Sequence, residues 1–288
     1  MPLNSKNKNV WKQVGKTIVL DEAYLKTGLD RKNKWGAFKK ITGTRLSAVL
    51  GLSKYNSPFK TWMTMVNLFK DEMDPTLSIV GNTIEPILKK YAETKLDAKF
   101  LTHNPSTINY DAFPENRVFG GIPDGEPLVN GRINYSTGLP MLEIKTSSID
   151  KFSYVTENGS LKMNKDKNGL PIVKEIGGKR AEWFNGGTLK ISPEYQFQLS
   201  LYMYLRNITK GMFVVGFLEK EDYVKPEEFD PKKREIKFAS LNFDSINDFK
   251  NVVTLAEEWY DKHIVTGISP EMTADDEAWL KKEILLAK

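Results

Sequence analysis

The run Gly211-Met-Phe-Val-Val-Gly-Phe-Leu218 is apolar at every position. A strand with one face in water alternates polar and apolar residues, so an unbroken apolar run predicts a strand buried on both faces. Such a strand needs a covering layer on each side, and helices before and after it can supply both. Ser192-Pro193 opens a helix carrying Tyr195, Leu199, Tyr202 and Leu205 on one side, with Ser as cap and Pro in the first turn. Asp74-Pro75 opens another that runs to about Leu96, its stripe made of Ile84, Ile87, Leu88 and Tyr91, with Pro86 inside it. The expected architecture is α/β, one central mixed β-sheet flanked by helices.

Other segments fill in that frame. The first forty residues are Lys-rich and weakly periodic, and read as a solvated arm with one helix around Asp21–Thr27. Ile41–Gly51 has Leu46, Val49 and Leu50 at helical spacing, with Thr42 or Thr44 available as cap. Ser57-Pro58 starts a helix whose stripe is Phe59, Trp62, Val66 and Phe69. Period-two patterns over Thr107–Phe113, Arg117–Ile122, Met141–Thr146 and Ile236–Phe243 predict strands. Residues 150–190 crowd Gly, Asn and Lys together and predict a disordered insertion or a mobile basic loop. Two amphipathic helices close the chain at Ser245–His263 and Thr273–Leu286, the second opening on a Thr273/Asp276 arrangement resembling a capping box.

Composition removes several chemistries. The chain has no cysteine, which excludes disulfides, thiolate zinc sites, iron–sulfur clusters and a Cys nucleophile. Its two histidines, His103 and His263, lie far apart in sequence with no evident co-ligands. A catalytic metal would therefore sit on oxygen ligands, which suits magnesium or manganese. No run reaches membrane-spanning length and the first residues form no apolar signal core, so a cytosolic location is expected. A net charge of +5 is compatible with a polyanionic partner.

Within Pro140-Met-Leu-Glu143-Ile-Lys145-Thr-Ser147, alternation puts Leu142 and Ile144 on one face and Glu143 with Lys145 on the other. An acid beside an amine on a strand is either an ion pair or part of a hydrolytic metal site. Glu93-Thr-Lys95 and Glu235-Ile-Lys237 share the pattern. Glu143 has an acid at a hairpin's distance upstream: Asp124, in Gly120-Gly-Ile-Pro123-Asp124-Gly125, is 143 − 124 = 19 positions earlier. That span lets one hairpin return the chain beside itself, although Pro-Asp-Gly also suits an ordinary turn. Asp230 is too near Glu235 for such a return and has Lys232, Lys233 and Arg234 between. Glu93 and Lys95 fall in a helix, where residues two apart do not face each other.

Pro123-Asp124 followed by Glu143-Ile-Lys145 resembles the PD-(D/E)XK nuclease signature. Ile41-Thr-Gly-Thr44-Arg-Leu-Ser-Ala-Val-Leu-Gly-Leu-Ser53-Lys-Tyr55-Asn-Ser-Pro58 resembles the opening block of its lambda-exonuclease/YqaJ viral recombinase branch. Gly81-Asn-Thr-Ile-Glu85-Pro86 resembles that branch's Gly-x-x-x-Glu-Pro helix, and Trp183, Pro193-Glu-Tyr195 and Gln198-Leu-Ser-Leu-Tyr202 its downstream block. The pieces run in order from about residue 35 to 220.

The resemblance implies one nuclease domain over residues 1–288 with a restriction-endonuclease-like core, the arm (about 1–40), the insertion (about 150–190) and the C-terminal helices (about 245–288) being attached to it. It implies that Asp124, Glu143 and the Ile144 carbonyl hold Mg2+, with Mn2+ as substitute, and that Glu85 adds a carboxylate. Lys145 would position the attacking water, and Gln198 would contact the lysine or the water. Tyr202 would share its face or simply pack. Thr44 would help receive a terminal 5′-phosphate, with Lys39 and Lys40 where the family often has Arg. The Gln block is one residue shorter here, which leaves Gln196 as a rival to Gln198. The implied activity is exonucleolytic hydrolysis of linear duplex DNA, 5′ to 3′, in phage-type recombination. A single-strand annealing protein and a homotrimeric ring are the implied partners. The same core also fits a restriction or repair endonuclease, or a DNA-binding module without turnover; the chemically competent residues at all five site positions weigh against the last.

Overall fold

The computed structural model describes residues 9–32, 36–70, 75–157 and 160–286. In chain order the elements begin with strands β1 (Trp11–Val14) and β2 (Thr17–Leu20) and helices α1 (Glu22–Leu29), α2 (Gly43–Val49), α3 (Pro58–Met65) and α4 (Pro75–Leu96). Short strands β3 (Phe100–Leu101), β4 (Glu126–Val129) and β5 (Arg132–Ile133) follow, then the long β6 (Met141–Ser148). Next come β7 (Lys151–Phe152), β8 (Tyr154–Glu157), β9 (Ser160–Met163), β10 (Val173–Glu175), helix α5 (Gly178–Ala181), β11 (Phe184–Asn185) and β12 (Thr188–Leu189). The chain then forms α6 (Pro193–Leu205), β13 (Lys210–Leu218), β14 (Glu235–Asn242), α7 (Lys250–Tyr260) and α8 (Ala274–Leu286).

The central sheet is mixed, in the order β14-β13-β6. β13 is parallel to β6, with Glu143 opposite Phe213 and Lys145 opposite Val215, and antiparallel to β14. The apolar run does what its pattern requires. Val214 and Leu218 pack with Ile84 and Leu88 of α4 on one face, while Phe213, Val215 and Phe217 pack with Leu199, Tyr202 and Met203 of α6 on the other. β6 divides in the same way: Leu142 and Ile144 join the α4 side, so Glu143 and Lys145 lie on the α6 side. A third cluster gathers α2, α3, α7 and α8 around Trp62 and Tyr260.

Most helix starts follow their signals. Ser57 and Ser192 accept hydrogen bonds from Lys60 N and Tyr195 N, and Thr273 and Asp276 bond reciprocally ahead of α8. Pro86 lies inside α4 as the spacing predicts; Asp74, the expected start signal, lies outside the described residues. The Ser245–His263 segment is composite, a 3-10 turn at Ile246–Phe249, then α7, then a wider π turn at Asp261–Val265.

Four expectations need correcting. Over residues 9–32 and 36–40 the N-terminal segment is no solvated arm: Ile18 and Phe38 are buried in the helical core, and Ile18 N donates to Ser269 Oγ at 2.9 Å. Thr107–Phe113 is a set of turns, because Asn109 and Tyr110 sit at φ 50° and 61° and Asn104 captures Ser106 N. Arg117–Ile122 makes one isolated bridge, Phe119 to Ile41, since Asn116 Oδ1 takes the amides of Val118 and Phe119. The 150–190 segment folds into paired strands, anchored where Phe152, Met163 and Trp183 are buried; three well-placed apolar side chains outweigh the polar composition.

Candidate active site

β6 carries Glu143 and Lys145 to the α6 side. Glu143 is fully buried, and its Oε1 accepts a hydrogen bond from Lys145 Nζ at 2.5 Å. Its Oε2 is buried with no hydrogen-bond partner, an expensive state for a carboxylate oxygen. Lys145 Nζ also donates to Gln198 Oε1 at 3.3 Å and lies 5.0 Å from the Tyr195 ring centroid. Gln196 is exposed and donates from Nε2 to Ile191 O, so of the two glutamines Gln198 meets the lysine. Asp124 comes from the loop before β4. Its Oδ2 accepts from Ile144 N at 2.7 Å, and the neighbouring Gly125 bridges Leu142. A strand residue sends its N–H and C=O to the same edge, so the Ile144 carbonyl leaves β6 on the side of Asp124.

Glu85, on α4, lies within electrostatic reach of Asp124, Glu143 and Lys145. Burial, then repulsion from Asp124, pushes its carboxyl up to about 7. The same two causes push Glu143 up to about 8, and burial raises Asp124. Lys145 is held above its usual range by Glu143 and Asp124, against its own burial. The lysine faces several acids, whereas Asp124 and Glu143 share that one lysine and Glu85 feels Lys89 besides. The expected acids Glu85, Asp124 and Glu143 thus lie within electrostatic reach of one another and of Lys145, with acids outnumbering the amine.

The opening block packs directly over this site. A Cβ on Gly43 would meet Gln198 Cγ at 2.5 Å and its Cα at 2.9 Å, so only glycine lets α2 approach α6 this closely. Gly121, at φ +130°, leaves room for the Tyr202 hydroxyl. Tyr202 is buried and stacks with Phe113, within reach of the charges on Glu143 and Asp124. Thr42 occupies the cap position of α2 but makes no side-chain capping bond; its hydroxyl meets that of Thr44 at 2.9 Å. Thr44 is exposed within the helix and does not cap it. Lys40 is committed elsewhere, paired with Asp111 at 2.6 Å and bonded to Phe113 O at 3.0 Å, and Lys39 is half-buried beside it in sequence. Arg45, quoted in the opening block without a role, returns its guanidinium to Lys40 O at 3.2 Å and Thr42 Oγ1 at 3.4 Å. Tyr195, read on the apolar side of its helix and within the downstream block without a role, supplies the ring against Lys145.

Whether a divalent cation fits can be judged from these donors. All are hard oxygens, one is buried without a partner, and burial with mutual repulsion holds the acids toward protonation. Among the described residues no three His, Cys, Asp or Glu side chains are grouped closely enough to hold a metal ion by themselves. Oxygen donors are the kind that magnesium takes, one or two carboxylates with water and phosphate completing the shell. The rival Lys237 is on β14, half-exposed, 3.4 Å from Glu235, which is gripped by Arg180 through bonds of 2.5 and 2.8 Å. His103 bonds Glu126 at 2.5 Å within a buried network that includes Arg206 and Tyr135, away from the other histidine.

Comparison with known proteins finds two near full-length relatives. The "Uncharacterized protein MG373" of Mycoplasma genitalium is 47% identical over 271 residues, 93% of this chain and 94% of that protein. The "Uncharacterized protein MG373 homolog" of Mycoplasma pneumoniae is 46% identical over 267 residues, 92% and 94% of the two. No family model matches the chain. Among solved structures, an alkaline exonuclease (LHK-Exo) from Laribacter hongkongensis overlaps 92% of this chain and 99% of its own, with TM-score 0.48 and 13% identity. A phage related exonuclease from Haemophilus somnus overlaps 79% and 96%, with TM-score 0.42 and 15% identity. Superpositions this loose carry no chemistry, which has to come from the residues.

Proposed function

We propose a DNA nuclease activity for this chain, which belongs to the family of Mycoplasma genitalium MG373, so that the reading extends to that family. Asp124, Glu143, Glu85 and the Ile144 carbonyl would hold Mg2+, or Mn2+ in its place. The observation that carries the reading is the fully buried Glu143, bonded to Lys145 through one oxygen and unpartnered at the other, with two further acids close enough to raise its proton affinity. A fold gains nothing in stability from such a charge-deficient cluster; a cation-dependent reaction does.

A divalent cation bound there would neutralise charge on a phosphate and make water more acidic. The chain's own groups set the rest. Lys145 is held protonated, so it does not take a proton from water at neutral pH; Nζ donates, to the water or to a phosphate oxygen. Gln198 fixes the direction of that donation through Oε1, and Tyr195 limits where the ammonium can swing. Asp124 is kept in place by the Ile144 amide. The acids would have to give up their protons to hold a cation, and Glu143 Oε2 is an oxygen without a hydrogen-bond partner that could serve it.

Exonucleolytic attack from a 5′ end is the finer form of the proposal. It is supported by the resemblance of Ile41–Pro58 and by the seating of that block on Gln198, with Thr44 exposed one residue beyond the contact. Digestion of linear and covalently closed circular duplex in magnesium tests it. Release of nucleotides from linear DNA alone is the expected result. Nicking of circles would replace it with an endonuclease, and binding without cleavage of either would overturn the hydrolytic reading.

A further inference from the structure

The loop between α2 and α3 holds an exposed aromatic at the rim of this site. Ser53 Oγ accepts hydrogen bonds from the amides of Tyr55 and Asn56, at 3.1 and 3.4 Å, which gives the loop a fixed turn. Lys54 N donates to Glu194 Oε1 at 3.0 Å, pinning the loop to the first turn of α6. Glu194 immediately precedes Tyr195, whose ring faces Lys145 Nζ on one hand and stacks on Trp183 at 5.5 Å on the other. Tyr55 is thereby held beside the Tyr195 wall, yet it remains 75% exposed. Lys179, at the start of α5, is within electrostatic reach of both tyrosines and is tied to Glu182 at 2.7 Å.

A single exposed aromatic needs no explanation in general. This one differs because Ser53 shapes its loop from within and the Lys54–Glu194 bond ties that loop to the residue next to Tyr195. Phe59 and Trp62, a few positions on, are fully buried, so the core was open to aromatic side chains and Tyr55 is left out of it. An exposed ring on an anchored loop, with a lysine near it, is suited to seat an unpaired base: every base has a π-face, and the cation follows the backbone.

We propose that Tyr55 is a base-stacking residue, its ring seating an unpaired nucleotide of the strand whose phosphate lies at Lys145. The inference rests on the nuclease reading for the identity of its ligand, but the test separates the two. A duplex with a short single-stranded end carrying 2-aminopurine is titrated with the full chain in calcium, and fluorescence quenching and affinity are read together. The wild-type protein and Tyr55→Phe should quench the probe and bind alike. Tyr55→Ala should lose the quenching and bind more weakly by roughly 5- to 150-fold, the range for losing one stacked base, with an unchanged melting temperature. Quenching and affinity in Tyr55→Ala equal to wild type would overturn the stacking role, even if the wild-type enzyme cuts DNA. Tyr55-dependent quenching by a wild-type protein that fails to cut DNA in magnesium would uphold stacking and remove the nuclease reading instead.

Discussion

Glu143 keeps a carboxyl in a place where burial and two neighbouring acids oppose its charge, and this has a consequence for stability. Its proton is retained up to about 8, and that of Glu85 up to about 7, whereas both ionise near 4.5 in the unfolded chain. Between about 4.5 and about 8 the unfolded state therefore binds fewer protons, and stability falls as pH rises. Thermal melts without divalent cation should show that fall, and Glu143→Gln, which keeps the shape and removes the charge, should flatten it. Added magnesium should raise the melting temperature more at alkaline than at acid pH, because binding competes with protons. A melting profile identical in wild type and Glu143→Gln would mean that the acids do not interact as described. The two lysines in Glu-x-Lys patterns separate equally clearly. Lys145→Ala should lose at least ~10²-fold in cleavage rate, the scale of losing a positioned proton donor. Lys237→Ala, on the outer strand beside Glu235, should keep its rate; equal losses would assign the chemistry to the wrong strand.

At the scale of elements, the site depends on how closely α2 lies on α6. Gly43→Ala places a methyl against the Gln198 backbone, which cannot rotate away, so the helices must separate. Overpacking of this kind costs about 1–3 kcal/mol, and here it should also loosen the Gln198–Lys145 contact. The expected outcome is a lowered melting temperature with a cleavage rate that falls further than stability alone explains. Thr44→Val is the contrasting change. Because Thr44 is exposed and caps nothing, its stability should be unaffected. Any effect should appear as a smaller preference for 5′-phosphorylated over 5′-hydroxyl ends, measured by digesting matched duplexes. The helix caps, the β13 run and the Glu143/Lys145 face were legible because each follows from a local rule of period or capping. The strands expected at Thr107–Phe113 and Arg117–Ile122 were not, since Asn104, Asn109 and Asn116 redirect the backbone through side-chain bonds that alternation does not register.

Among the described residues of the whole molecule there are three packed clusters, two of them formed on the sheet, and chain segments far apart in sequence complete each. The N-terminal hairpin is held by Ser269 and bridged from Val19 to Ile268, a contact that no reading of its Lys-rich sequence could anticipate. The site has the same long-range character: Thr44, Glu85, Asp124, Glu143 and Gln198 come from five elements or loops spread over more than half the chain. Pairwise spacing identified Asp124 with Glu143. Glu85 and Gln198 carried no local signal and could be placed only through the family resemblance, while Arg45 and Tyr55 needed the packed structure. The central claim is that these carboxylates serve a cation-dependent cleavage of DNA. Its most direct measurement is nucleotide release from linear duplex, with magnesium and with chelator, by wild type and by Glu143→Gln. The expected result is release by the wild type only in magnesium and none by Glu143→Gln, although the variant melts at or above the wild-type temperature without metal. Release by Glu143→Gln at a rate near wild type, or by the wild type in chelator, would contradict it.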